Sequence, residues 1–135
     1  MMEGPLGNEA VIAKRILIVD DAATVRMYHR GIFESAGYAV EEAMNGIEAL
    51  EKTLQAPFDL YVVDVNMPKL NGYGFLSELR QQEIGQQPAI MVSTEAAPGD
   101  EAAAYRSGAN AYLIKPVQPT QLLTYARIML GEAIQ

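Results

Sequence analysis

Short apolar runs alternate along this chain with segments whose apolar residues recur at helical spacing. Each run has five or six residues and is followed closely by a polar residue, a glycine or a proline, which is the pattern of a buried strand. Runs that are continuously apolar, rather than alternating with polar residues, are typical of strands covered on both faces. The predicted strands are Arg15–Val19, Tyr38–Ala43, Asp59–Val63, Pro88–Val92 and Asn110–Ile114.

A helical pattern follows each predicted strand. The first helix stops at Gly37, the second ends before Pro57, and the fourth and fifth are predicted at about 99–107 and 120–130. Five strands alternating with five helices predict an α/β domain, with a parallel sheet wound by helices on both faces. The apolar faces of the first three helices are predicted to be Val25, Tyr28, Ile32, Phe33 and Ala36; then Ile47, Leu50 and Leu54; then Phe75, Leu76 and Leu79.

Size and composition narrow the class of protein. A chain of 135 residues, half of them hydrophobic, suits one domain with its own core. The absence of cysteine excludes disulfides, thiolate metal sites and cysteine nucleophiles. A net charge of −7 argues against generic nucleic-acid binding. No apolar run approaches the roughly 20 residues needed to cross a bilayer, so we expect no membrane association and a cytoplasmic location.

Polar side chains gather where the predicted strands end. Asp20 and Asp21 follow the first strand, Asp64 the third, Ser93 the fourth and Lys115 the fifth. In open α/β sheets, ligands bind outside the carboxyl ends of the strands. These residues are therefore expected to meet at one edge of the sheet.

Repulsion among the three carboxylates at this edge must be relieved by protonation or by a cation. Two unit charges about 4 Å apart interact by roughly 4 kcal/mol at an effective dielectric constant near 20. Oxygen ligands suit Mg²⁺, which binds one or two carboxylates together with phosphate oxygens. Lys115 adds a positive charge and Ser93 a hydroxyl donor, so the set resembles a clamp for a phosphoryl group. A carboxylate such as Asp64 can accept that group as an acyl phosphate.

Four segments lie in order at the predicted strand ends: Ile18–Asp21, Val63–Asp64 with Asn66–Pro68 and Gly72, Val92–Ala96, and Tyr112–Pro116. Together they resemble the motifs of a response-regulator receiver domain of the chemotaxis CheY type, and Arg26 also resembles the start of the first helix in chemotaxis members. The resemblance covers residues 15–131, and it implies a flavodoxin-like doubly wound fold with strand order 2-1-3-4-5. Residues 1–14 are then a flexible N-terminal extension and residues 132–135 a C-terminal tail.

The resemblance implies a role for each site residue. Asp64 is the expected phosphoacceptor, and Lys115 is expected to contact the phosphoryl group. The resemblance also implies that the Lys115–Pro116 peptide bond is cis, which directs the lysine side chain into the site. Ser93 is the expected switch hydroxyl, a departure from the more usual threonine, and Tyr112 is the switch aromatic. The expected Mg²⁺ ligands are Asp21, Asp64 and the main-chain carbonyl of Asn66, with Asp20 acting through water.

The resemblance also implies partners. We expect a histidine kinase as phosphodonor and a downstream protein target, in chemotaxis, that binds the surface of the fourth helix, fifth strand and fifth helix. We expect a monomer or weak dimer without nucleic-acid partners. The chain is expected to be a phosphoacceptor switch that assists its own phosphorylation and dephosphorylation, and not an enzyme.

Three other functions fit parts of the pattern. An aspartate-based phosphatase needs a second carboxylate two residues after the nucleophile, where this chain has Asn66. A flavodoxin needs a hydroxyl- and glycine-rich phosphate loop after the first strand, where this chain has Asp20 and Asp21. A receiver cut from a longer transcription factor or hybrid kinase keeps the fold but changes the setting; the chain ends soon after the last predicted helix, which favours a single-domain protein.

Overall fold

Five parallel strands form a single sheet in the structure, a computed structural model that describes residues 12–132. The strand order is β2-β1-β3-β4-β5, as the resemblance implies. Most of the expected N-terminal extension, residues 1–11, and residues 133–135 of the expected tail lie outside the described residues. The strands are β1 Arg15–Val19, β2 Ala39–Ala43, β3 Leu60–Asp64, β4 Ala89–Ser93 and β5 Ala111–Ile114.

Helices connect the strands and cover both faces of the sheet. Phe33 and Leu122, from the first and last helices, pack on one face, whereas Phe75 and Ala104 pack on the other. No helix within residues 12–132 is both long and apolar enough to cross a membrane. The helices are α1 Ala23–Ser35, α2 Gly46–Gln55, α3 Gly72–Leu79, α4 Pro98–Ser107 and α5 Pro119–Met129.

The sheet has a core layer on each side, because its strands are buried on both faces. Leu17 and Val63 point to the layer under α2, α3 and α4, whereas Ile18 and Val62 point to the layer under α1 and α5. Each fully buried aliphatic side chain of this size contributes roughly 1.5–3 kcal/mol relative to an exposed one. The central strands are therefore a rigid base for the residues at their ends.

The buried faces of α1 and α2 agree with the predicted ones only in part. In α1, Tyr28 is 48% exposed, whereas its neighbour His29 is buried. In α2, Ile47 and Leu54 are exposed, and the fully buried residues are small or polar, including Ala49 and Thr53. The rest of the prediction is confirmed: in α1, Phe33 is buried and Ile32 and Ala36 pack against the core, and in α2 Leu50 does so. Hydrophobicity alone therefore located these two faces only in part. The predicted buried face of α3 is confirmed.

Candidate functional site

Four strands place the predicted site residues at one edge of the sheet. Asp64 and Ser93 are the last residues of β3 and β4, Asp20 comes directly after β1, and Lys115 directly after β5. Asp20, Asp21 and Asp64 each offer a carboxylate oxygen, and these oxygens lie within 4.8 Å of one another. The expected cluster of three carboxylates is therefore present.

Lys115 joins two of these carboxylates. Its Nζ donates to Asp20 Oδ2 at 2.8 Å and to Asp64 Oδ1 at 3.1 Å. Asp20 and Asp64 are 1% and 7% exposed, whereas Asp21 is exposed. One ammonium group cannot neutralise three carboxylates, so the edge keeps an excess of negative charge that favours binding of a cation.

Burial and charge act in opposite directions on the titration of this pair. Burial, and then the nearby charge of Asp20, raise the pKa of Asp64, although Lys115 acts to lower it. Burial lowers the pKa of Lys115, but its hydrogen bonds and charge interactions with Asp20 and Asp64 outweigh that effect and raise the pKa overall. Lys115 is therefore protonated at neutral pH.

The donor set fits Mg²⁺. Carboxylate oxygens of Asp20, Asp21 and Asp64 are hard ligands, and their cluster contains no sulfur or imidazole ligand. The side-chain amide of Asn66 donates to Glu95 Oε2 at 3.0 Å. The metal role expected of Asn66 falls on its main-chain carbonyl, so this side-chain contact does not conflict with it.

The loop after Asp64 is fixed against α2 by main-chain contacts. Lys69 and Leu70 have φ angles of 51° and 79°, in the left-handed region that non-glycine residues rarely adopt. Their carbonyls accept hydrogen bonds from Ile47 N at 3.3 Å and Gly46 N at 3.0 Å, at the start of α2. These contacts compensate for the strained backbone and fix the loop against the start of α2.

Gly72 closes the same loop by a close main-chain approach. Its amide donates to Val65 O at 2.9 Å. A Cβ at this position would lie 2.2 Å from the main-chain oxygen of Asp64. Only glycine therefore fits where α3 begins beside the predicted phosphoacceptor.

Glu95 links three residues to which the resemblance gives roles. Its amide donates to the buried Ser93 Oγ at 3.0 Å, and its carbonyl accepts from the Tyr112 hydroxyl at 2.6 Å. Its carboxylate accepts from Asn66, as described above. The Ser93 hydroxyl accepts in this arrangement, so its own proton is available for another acceptor. Tyr112 is half-buried beside the loop that carries Glu95.

The Lys115–Pro116 peptide bond is cis, as expected.

Glu42 is a residue beside the site that was not identified from the sequence. It accepts from Arg26 Nε at 2.8 Å, and Arg26 Nη1 in turn donates to the main-chain oxygen of Asp20 at 2.7 Å. The available signal was a pair of adjacent glutamates, Glu41 and Glu42, just before the last residue of a predicted strand.

Known proteins are similar to this chain in sequence. The chemotaxis protein CheY of Thermotoga maritima is 38% identical over 116 residues, which cover 83% of this chain and 93% of CheY. The transcriptional regulatory protein ResD of Bacillus subtilis is 31% identical over 121 residues, or 90% of this chain, which spans only half the length of ResD.

A solved structure and a family model agree with these relatives. The receiver domain of a sensor histidine kinase from Pseudomonas aeruginosa, with a magnesium ion coordinated in its active-site cleft, is 29% identical, with a TM-score of 0.83. The match covers 90% of this chain and all of that one. The family model of the response regulator receiver domain matches residues 16–127. The chain therefore belongs to the response regulator receiver domain family of two-component signalling.

Proposed function

We propose that Asp64 accepts a phosphoryl group from a histidine kinase in a Mg²⁺-dependent reaction, and that this modification changes binding to a protein partner. The observation that carries the proposal is the Lys115 ammonium group shared by Asp20 and Asp64 at an edge with three carboxylates. Such an edge provides a nucleophile, a place for a cation and a fixed positive charge for a phosphoryl oxygen.

The metal is held in this proposal by Asp21, Asp64 and the main-chain carbonyl of Asn66, with Asp20 acting through water. When bound, Mg²⁺ neutralises negative charge on the phosphoryl oxygens. This assignment is supported by the oxygen-only cluster and by the magnesium ion in the related Pseudomonas receiver domain.

The chain's own residues perform the transfer. An Asp64 carboxylate oxygen forms a bond to phosphorus while the bond from phosphorus to the donor's histidine nitrogen breaks, and the electron pair stays with the departing imidazole. Lys115 holds a phosphoryl oxygen by charge, and the Ser93 hydroxyl donates a hydrogen bond to another. The Lys115 ammonium group is already held beside Asp64, so it needs little reorganisation in the transition state.

Incubation with a small phosphodonor and Mg²⁺ tests the proposal. Mass spectrometry is expected to locate one phosphoryl group on Asp64, and Asp64→Asn is expected to lose it. The same preparation is expected not to turn over an exogenous phosphomonoester, because we propose a switch and not an enzyme. An unmodified Asp64 in a folded protein would overturn the assignment.

Mg²⁺ is expected to stabilise the unphosphorylated protein, because a cation relieves repulsion among the carboxylates. A ligand at 100 times its dissociation constant adds roughly 2.7 kcal/mol to the free energy of unfolding. Thermal melting with and without millimolar Mg²⁺ measures the effect. Asp21→Ala is the comparison, and an equal shift in both proteins would exclude the proposed metal site.

The output is a protein contact on the surface formed by α4, β5 and α5, and we propose a chemotaxis partner such as a flagellar-motor or kinase protein. The similarity to CheY over nearly its full length supports this setting. Tyr105 and Tyr125 are exposed on α4 and α5, and aromatic side chains suit small transient interfaces. The alternative setting, a receiver within a longer regulator, is supported by ResD.

Phosphorylation is expected to reach that surface through Ser93 and Tyr112. When Ser93 turns toward a phosphoryl oxygen, its contact with Glu95 N is lost, the loop moves, and Tyr112 shifts inward. Amide NMR shifts with and without beryllofluoride measure this population shift. In Ser93→Ala we expect changes near Asp64 but not at Tyr112. Equal changes at Tyr112 in both proteins would refute the coupling.

A further inference from the structure

Every main-chain and side-chain polar atom of Asp20 has a partner. Its amide donates to Ala43 O at 3.0 Å, its Oδ1 accepts from Ala22 N at 2.9 Å, and its Oδ2 accepts from Lys115. Its main-chain oxygen accepts from Arg26 Nη1 at 2.7 Å. That oxygen belongs to the peptide group that joins Asp20 to Asp21. Arg26 therefore fixes the plane from which the Asp21 side chain leaves the backbone.

Arg26 is itself held by β2. Its Nε donates to Glu42 Oε1 at 2.8 Å, and Glu42 Oε2 accepts from Arg30 Nη1 at 2.7 Å. The side chain of Arg26 is 14% exposed and that of Glu42 27%. Hydrogen bonds to charged groups contribute more than neutral ones, and here they hold the planar guanidinium group in a single orientation.

We propose that Arg26 is a positioning residue for cation binding: by holding the Asp20 carbonyl, and held in turn by Glu42, it directs Asp21 toward the metal. The inference rests on the proposed function, because it concerns the Mg²⁺ ligands named there. It assigns a role to two residues that touch neither the phosphoryl group nor the metal.

Charge and position predict opposite results for this residue. If Arg26 acted only through its charge, removing a cation near a Mg²⁺ site would tighten Mg²⁺ binding or leave it unchanged. If Arg26 acts by orienting Asp21, its removal weakens binding. Loss of a group that orients a metal ligand typically costs 10–100-fold in metal affinity.

The test is a calorimetric titration of Mg²⁺ into wild type and Arg26→Met, together with thermal melting in a chelator. We expect Arg26→Met to bind Mg²⁺ at least about tenfold more weakly. Arg30→Met is the matched control, because it removes the same charge and a contact to Glu42 without touching Asp20; we expect binding close to that of wild type. Affinity in Arg26→Met equal to or tighter than that of wild type would overturn the inference.

Arg26→Lys provides a second test if Arg26→Met is unfolded at the temperature of the titration. Lysine keeps the charge but cannot donate to Asp20 O and Glu42 with one planar group. Weakened binding supports positioning, and wild-type affinity overturns it. Asp21→Asn separates this inference from the proposed function. If Asp21→Asn binds Mg²⁺ as tightly as wild type, the proposed metal site itself is wrong. If Asp21→Asn loses Mg²⁺ affinity but the Arg26 variants do not, only the role of Arg26 is refuted.

Discussion

Replacing Lys115 by methionine is expected to lower the free energy of unfolding by about 3 kcal/mol at neutral pH without Mg²⁺. The reason is that the Lys115 ammonium group bonds to both Asp20 and Asp64, which are almost fully buried. Removal of one partner from a buried ion pair leaves an uncompensated charge, and such changes typically cost about 3–5 kcal/mol.

The loss is expected to shrink as the pH falls. Burial already raises the pKa of Asp64, and removing Lys115 raises it further, because Lys115 acts to lower it. A carboxyl group whose folded pKa lies above its unfolded pKa favours folding below the unfolded pKa, and that contribution is lost as the pH rises through the folded pKa. The variant therefore recovers stability relative to wild type between neutral pH and about pH 4.

Urea denaturation of wild type and Lys115→Met across this pH range, in a chelator, measures the effect. Lys69→Met, which removes an exposed lysine from the loop after Asp64, is the matched control and is expected to behave as wild type. A stability difference that is independent of pH would contradict the explanation, because it would show that packing, and not the charge of Lys115, was lost.

Replacing Arg80 by methionine is expected to destabilise the protein by a similar amount, for a different reason. The guanidinium group of Arg80 donates to the main-chain oxygens of Gly85, Gln87 and Gly108 at 2.6–3.0 Å, and more weakly to Asn110. It thereby joins the end of α3 to the segments that lead into β4 and β5. Each carbonyl left without a donor costs about 1–3 kcal/mol if it stays out of water.

Because these carbonyls are only partly buried, we expect a total of about 3 kcal/mol and a melting temperature lower by roughly 10 °C. Thermal and urea unfolding give both values. Arg106→Met removes an exposed arginine from α4 and is expected to change stability by less than about 0.5 kcal/mol. Equal stability of Arg80→Met and Arg106→Met would mean that water replaces all the lost donors.

The fold could be predicted because its signals are local and repeated. All five strands and all five helices were expected, and most boundaries lie within one or two residues of the structure. The faces of α1 and α2 were predicted less well. His29 and Thr53 are buried, whereas Tyr28 and Leu54 are exposed, because the fit between a helix and the sheet depends on side-chain size as well as hydrophobicity.

The site could be predicted where residue type and strand position coincide, as they do for Asp64 and Lys115. The contacts around the site could not be predicted. Arg80 and Arg26 both act on main-chain oxygens, and a carbonyl acceptor is present at every residue, so it leaves no sequence signal. The roles of the site residues remain predictions until phosphorylation and Mg²⁺ binding are measured.

The close main-chain approach at Gly72 has a consequence for large-scale mutagenesis of this protein. A Cβ there would lie 2.2 Å from the main-chain oxygen of Asp64, and one at Gly46 would lie 2.5 Å from that of Leu70. In a library that tests every substitution, even alanine at either position is expected to abolish function, as a change of charge at Asp64 does. A map of mutational tolerance would therefore group these glycines with the phosphoacceptor, although neither has a side chain to react. Separate measurements of the amount of folded protein and of its phosphorylation would distinguish variants that fail to fold from variants that fold but cannot be phosphorylated.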